Sequence, residues 1–147
     1  MIEQKKMDRL IIKVSNDPDV IAMVLHGSQA IGQAHALSDI DIAFLLDAKV
    51  SFIDKHLELY TISSEKLETE QVDVVILNQA SLDLSYHVLE KGKILYVDPR
   101  RRNEWVDFRE RVTLEYLDYA PTLSFHYIAL SKRIKTGHFA PLKNPIG

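Results

Sequence analysis

The chain of 147 residues contains no cysteine, which excludes disulfides, thiolate metal ligands and a cysteine nucleophile and fits a reducing compartment. Charge of neither sign dominates: 18 Lys and Arg stand against 21 Asp and Glu, a net charge of −3 with a pI near 6.0. A general attraction to nucleic acid or to an anionic membrane is therefore absent; a polynucleotide substrate would need a local basic patch, and a small molecule or a protein is the easier substrate. No apolar run approaches the length that spans a bilayer, and the first residues scatter Glu3, Lys5, Lys6, Asp8 and Arg9 where a leader peptide needs an apolar core. The expected location is the cytoplasm. Repeats, low-complexity tracts and linkers are also missing, and the 46% apolar composition is one domain's worth of chain with a substantial core.

What the chain does have is concentrated between Val20 and Leu46. A β-branched, apolar run from Val20 to Leu25 stops at Gly27-Ser28, and a second run begins with Asp39, Ile40, Asp41 and Ile42 before turning fully apolar. Strand, turn, short helix through Gln29 to Ile31, and strand is the simplest reading. Side chains two apart in a strand share a face, so Asp39 and Asp41 project together while Ile40 and Ile42 turn into a core. Two carboxylates crowded in this way disfavour full ionisation unless a cation sits between them, and an all-oxygen ligand set suits Mg²⁺ or Mn²⁺ better than Zn²⁺.

At the other end of the stretch, Gly27 lets the backbone approach a ligand closely. Free N–H groups at the start of the short helix, with the Ser28 hydroxyl, make a cradle for phosphate. A phosphate cradle facing a metal-binding carboxylate pair points to transfer chemistry on a nucleoside triphosphate.

Gly27-Ser28, ten residues, then Asp39-x-Asp41 resembles the signature of the DNA polymerase β-like nucleotidyltransferase superfamily, and the short chain looks like its minimal nucleotidyltransferases (MNT). The resemblance implies a mixed α/β (α+β) nucleotidyltransferase fold, a small mixed sheet flanked by helices with a C-terminal helical section. It also implies a third carboxylate on a later strand. The run Gln71 to Leu77 supplies Asp73, which a metal site would relieve of the cost of an unpaired charge in a core strand. By this resemblance one Mg²⁺ on Asp39 and Asp41 bridges the triphosphate of ATP, and a second, shared with Asp73, activates the attacking hydroxyl, whose proton Asp73 can accept. Many relatives carry an arginine where this chain has Ile31, so a side-chain phosphate contact is missing there.

The resemblance extends to a partner. Minimal nucleotidyltransferases often pair with a HEPN-domain ribonuclease toxin and attach AMP to a tyrosine on it, acting as the antitoxin. Two other readings stand beside this one: nucleotidylation of a small molecule such as an aminoglycoside, and a catalytically silent antitoxin that neutralises by binding. Each residue also has a plainer role open to it: Asp39 as a helix cap or turn residue, Gly27-Ser28 as a strand-ending turn, and Asp73 as an edge-strand residue facing water.

Elsewhere the pattern predicts one domain over 1–147, with a sheet-containing core over 1–98, C-terminal helices over 99–136 and an irregular tail over 137–147. Met7, Leu10, Ile11 and Val14 give an amphipathic helix from Ile2 to Ser15. Ser51 caps a helix towards Leu67, with a break near Ser63-Ser64, and a further helix spans Ala80 to Glu90 before a short strand from Ile94 to Val97. Trp105, Phe108, Val112 and Leu117 share one face of a helix that breaks at Ala120-Pro121, after which a second takes Ser124 to Lys135. Arg100 to Arg102 read as a solvated run before a phosphate contact, and Tyr116, Tyr119, Phe125, Tyr127 and Phe139 as helix packing before a partner surface. The six histidines show no paired metal-ligand spacing, although His26 abuts the cradle and His35 lies in the loop before Asp39.

Overall fold

The computed structural model describes residues 3–27, 30 and 39–134, with side chains described as far as residue 119. The elements run α1 (Gln4–Ser15), β1 (Val20–His26), β2 (Ile40–Leu46), α2 (Phe52–Leu67), β3 (Val72–Ile76), α3 (Leu82–Lys91), β4 (Lys93–Val97) and α4 (Arg102–Ile134), with short 3₁₀ turns at Leu77–Gln79 and Pro99–Arg101.

The four strands form one sheet in the order β3-β2-β1-β4. β1 pairs antiparallel with β2 and with β4, and β2 pairs parallel with β3, so the sheet is mixed. Helices cover both faces. On one face α1 and α2 bury Met7, Leu10, Val14 and Leu59 against Met23, Ile42, Phe44 and Leu46; on the other, α3 and α4 bury Val88, Trp105, Phe108 and Val112 against Ala22, Val24, Ala43 and Leu45. β1 and β2 are therefore apolar on both faces, which is why they read as nearly continuous apolar runs. Phe44 is fully buried at the centre, and its replacement by Ala should cost about 3–5 kcal/mol. The Asn78 amide donates to the Leu46 carbonyl at 2.8 Å and accepts from the Leu46 N–H at 2.9 Å, closing the β2 edge where β3 ends.

Ser51 caps α2 by accepting from the Asp54 N–H at 3.3 Å. α2 does not break at Ser63-Ser64: Ser63 is fully buried one turn from Leu59 and Leu67, where a small side chain lets the helix sit close to the sheet. Nor does α4 break at Ala120-Pro121, since it continues to Ile134. Proline removes one helical hydrogen bond, to the Leu117 carbonyl, and the bonded turns on either side carry the helix across it.

The buried stripe of α4 is Trp105, Phe108 and Val112, extended by Tyr116, whose ring stacks on Tyr86 of α3 at 3.8 Å. Leu117 and Tyr119 turn away from it and are exposed, contrary to the packing expected of them. Phe125, Tyr127 and Phe139 lie outside the described side chains. Arg101 is not a solvated charge: it bonds Asp47 at 2.7 Å, Glu104 at 2.8 Å and the Pro18 carbonyl at 3.2 Å, tying the start of α4 to the loops at one end of the sheet.

Candidate active site

The site is built by strand pairing. In β1 and β2, His26 is opposite Asp41; in β2 and β3, Asp41 is opposite Asp73. Counting by twos from Asp41 reaches Ala43 and Leu45, from Asp73 reaches Val75, and from His26 reaches Val24 and Ala22, all in the core beneath α3 and α4. His26, Asp41 and Asp73 thus continue that face past the end of its apolar packing, side by side on three neighbouring strands. Asp39 lies just before β2 and is exposed, while Ile40 and Ile42 turn into the opposite core, as the alternation requires.

Gly27 ends β1 with φ +72°, a left-handed conformation that side chains other than glycine's seldom tolerate. A Cβ at this position would overlap an Asp41 carboxylate oxygen and lie 3.1 Å from Asp41 Cγ, so the absence of a side chain at Gly27 is what leaves room for the carboxylate. The Gly27 carbonyl accepts from the Ala30 N–H at 3.2 Å, turning the chain away from the sheet. Ser28 and His35 lie outside the described residues.

Electrostatics follow from this crowding. Burial raises the Asp41 pKa above the ordinary carboxylate range, His26 opposes that rise, and repulsion from Asp73 and Asp39 adds to it. Burial lowers the His26 pKa, against the pull of Asp41 and Asp73. His26 Nε2 is buried without a hydrogen-bond partner among the described residues. A partly buried carboxylate whose pKa is raised by burial first, and then by two neighbouring acids, is the electrostatic state that a divalent cation relieves, and the donors are oxygens that suit Mg²⁺. The three acids share a face without converging on one point: among the described residues no three His, Cys, Asp or Glu stand close enough together to hold a metal ion.

Asp73 takes the plainer of its two expected settings, an edge strand facing water, and not the core strand. β3 is the edge strand and Asp73 is exposed, so a buried, unpaired charge is not what calls for a metal there; its edge position instead leaves it open to an incoming group. Two features were not read from the sequence. One is the pairing of His26 with Asp41, for which the signal is the parity of β1 running into Gly27. The other is a cavity of about 250 Å³ between the end of β1 and α3, lined by His26, Gly27, Leu84, His87, Val88 and Lys91. Among the described residues no helix is long and apolar enough to cross a membrane.

Residues 9–101, which include Gly27 and all three aspartates, match the family model described as polymerase β, nucleotidyltransferase. The chain is 32% identical over 114 residues to the protein adenylyltransferase MntA of Aphanizomenon flos-aquae, covering 72% of this chain and 73% of that one. In fold it is similar to a chain from a toxin–antitoxin crystal structure with AMP-PNP, with a TM-score of 0.59, 26% identity and coverage of 90% of this chain and 95% of the other. The same fold occurs in the complex of a tri-AMPylated Shewanella oneidensis HEPN toxin with its MNT antitoxin, with a TM-score of 0.53, 24% identity and coverage of 91% and 95%. With Gly27 closed against Asp41, and Asp41 flanked by His26 and Asp73 at the end of a mixed sheet, the chain belongs to the polymerase β nucleotidyltransferase family, as an enzyme homologous to MntA.

Proposed function

We propose that this nucleotidyltransferase transfers AMP from ATP to a tyrosine of a HEPN-domain ribonuclease toxin in the cytoplasm and so acts as its antitoxin. The observation that carries the reading is the Asp41 wedge: a carboxylate seated against the left-handed turn at Gly27 and in register with a second carboxylate, Asp73, that faces outward. It is supported by similarity to a protein adenylyltransferase and to a chain from a toxin–antitoxin complex with AMP-PNP.

In this reading Asp39, Asp41 and Asp73 hold Mg²⁺, with Mn²⁺ as a substitute. When bound, the metal neutralises charge on the triphosphate and acidifies the attacking hydroxyl. The backbone at Gly27 and the Ser28 hydroxyl position the triphosphate. The acceptor oxygen forms a bond to the α-phosphorus as the bond from that phosphorus to the bridging oxygen breaks, and pyrophosphate leaves in line. Asp73, open to solvent at the sheet edge, takes the proton of the acceptor hydroxyl.

The test is incubation of the purified protein with Mg²⁺ and ATP labelled at the α-phosphate, with and without a HEPN partner. Label on the partner is expected, and none in the Asp39→Asn, Asp41→Asn or Asp73→Asn variants. Unlabelled partner despite tight binding would instead make the protein an antitoxin that acts by occupancy. Ser28→Ala should raise KM for ATP more than it lowers kcat.

A further inference from the structure

The carboxylate-rich end of the sheet poses a charge problem. Asp39, Asp41 and Asp73 repel the polyphosphate of a nucleotide, yet the segment between Gly27 and Asp39 contains no lysine or arginine at all. Beyond the charge that a bound metal would neutralise, any lysine or arginine that meets a triphosphate at the Gly27 turn comes from another element of the fold.

The helix α3 is placed to supply them. Its residues Leu84, His87, Val88 and Lys91 follow at intervals of three, one and three and form one face, which walls the cavity beside His26 and Gly27. Gly92 fixes how close that wall comes: a Cβ there would overlap the Val88 carbonyl and lie 2.5 Å from Val24 Cγ1, so α3 ends tight against β1, the strand that carries the turn. Leu84 and Val88 make the floor apolar, and nitrogens border it. Lys91 is exposed and makes no ion pair among the described residues. His87 is held by a 2.7 Å hydrogen bond between Nδ1 and the Asp83 carbonyl and by edge contacts with Tyr86 and Tyr116, at 5.9 and 6.2 Å. With Nδ1–H donated to the Asp83 carbonyl, Nε2 offers a phosphate a donor only when the ring is protonated, so Lys91 carries the contact and His87 seconds it.

Resting on the nucleotidyltransferase reading above, we infer that Lys91, seconded by His87, binds the polyphosphate end of the nucleotide in the cavity between β1 and α3. Lys91 is a positioning residue here: it compensates the charge of the phosphates that depart as pyrophosphate and orients them for in-line departure.

The test is binding of ATP, AMP and pyrophosphate, each with Mg²⁺, to the whole protein and to Lys91→Ala, Lys91→Arg and His87→Gln. Lys91→Ala should weaken ATP and pyrophosphate by about tenfold, as expected for one charge-assisted contact. AMP should bind as before, Lys91→Arg should recover most of the loss, and His87→Gln should give a smaller loss with the same selectivity. ATP and pyrophosphate bound equally well by Lys91→Ala would overturn the inference. So would an equal weakening of AMP, which would assign the cavity to the nucleoside. Because these titrations need neither acceptor nor turnover, a wild-type protein that binds ATP and labels no partner would count against the proposed function and leave this inference standing.

Discussion

Asp41 stands directly across from Asp73 in the parallel pairing of β2 and β3, with its other flank against His26 of β1. Three adjacent strands thereby present two acids and an imidazole in one row, on the face whose remaining positions are apolar core. No loop is needed to assemble this row; the pleat and the register do it, and packing beneath α3 and α4 holds it rigid.

Asp41 should reveal itself in the pH dependence of stability. Burial first, and then repulsion from Asp73 and Asp39, raise its folded pKa against the opposition of His26. An acid whose folded pKa exceeds its unfolded value binds its proton more tightly in the fold. Stability of the metal-free protein should therefore rise as pH falls through the folded value, and the charged carboxylate is a cost at neutral pH. Asp41→Asn should abolish transfer and yet melt higher than the wild type at pH near 7 without metal, with the gap closing towards pH about 4. Thermal melts across this range in a chelating buffer check the sign.

Gly27→Ala combines a left-handed φ of +72° with a Cβ that overlaps the Asp41 carboxylate. The backbone term alone costs about 1–2 kcal/mol. Denaturant unfolding should show a loss of at least that size. Transfer should fall further than stability does, because the carboxylate is what the new methyl group displaces.

Gly92→Ala faces a different obstacle. Its backbone is ordinary, and the new methyl would meet Val24 Cγ1 and the Val88 carbonyl, forcing α3 away from β1. Overpacking of this kind costs about 1–3 kcal/mol. The expected result is a moderately destabilised protein with weakened ATP binding, measured by calorimetric titration at a temperature where the variant is fully folded.

Lys55 provides a control at the opposite end of β1. Its ammonium contacts Asp17, Glu58 at 2.8 Å and Asp19 at 3.4 Å, with the side chain only 10% exposed. Burial disfavours the charge, but hydrogen bonds to Asp17 and Glu58 outweigh it and raise the pKa. A raised lysine contributes stability that is fully present below the ordinary lysine pKa and is lost only as pH climbs through the folded value. Lys55→Ala should therefore destabilise by about 1–3 kcal/mol, between the values for exposed and buried pairs. The loss should be uniform from pH about 6 to 9, below the ordinary lysine range, with transfer unchanged in the folded protein.

How far these features can be read in the sequence depends on whether they are local. The alternation from Asp39 to Ile42 fixes which side chains enter the core, because a strand has a period of two. Ser51 declares its cap, and Met7, Leu10 and Val14 declare the buried face of α1, by similarly local rules. What depends on neighbours across the sheet is silent. Nothing adjacent to His26 says that it will stand beside Asp41, and the local pattern around Asp73 leaves a core strand and a water-facing edge strand equally open. The packed stripe of α4 runs on through Tyr116, which turns Leu117 away from it, and Arg101 looks solvated until the fold brings Asp47 and the Pro18 carbonyl to it.

Transfer of AMP to a HEPN toxin by the acidic row at the sheet end is tested most directly by peptide mass mapping. The toxin would be recovered after co-expression with this protein or with its Asp41→Asn variant. AMP on a toxin tyrosine is expected with the wild type, and an unmodified toxin with the variant. An unmodified toxin in both cases, or an adduct that persists in the Asp41→Asn variant, would contradict the proposed function.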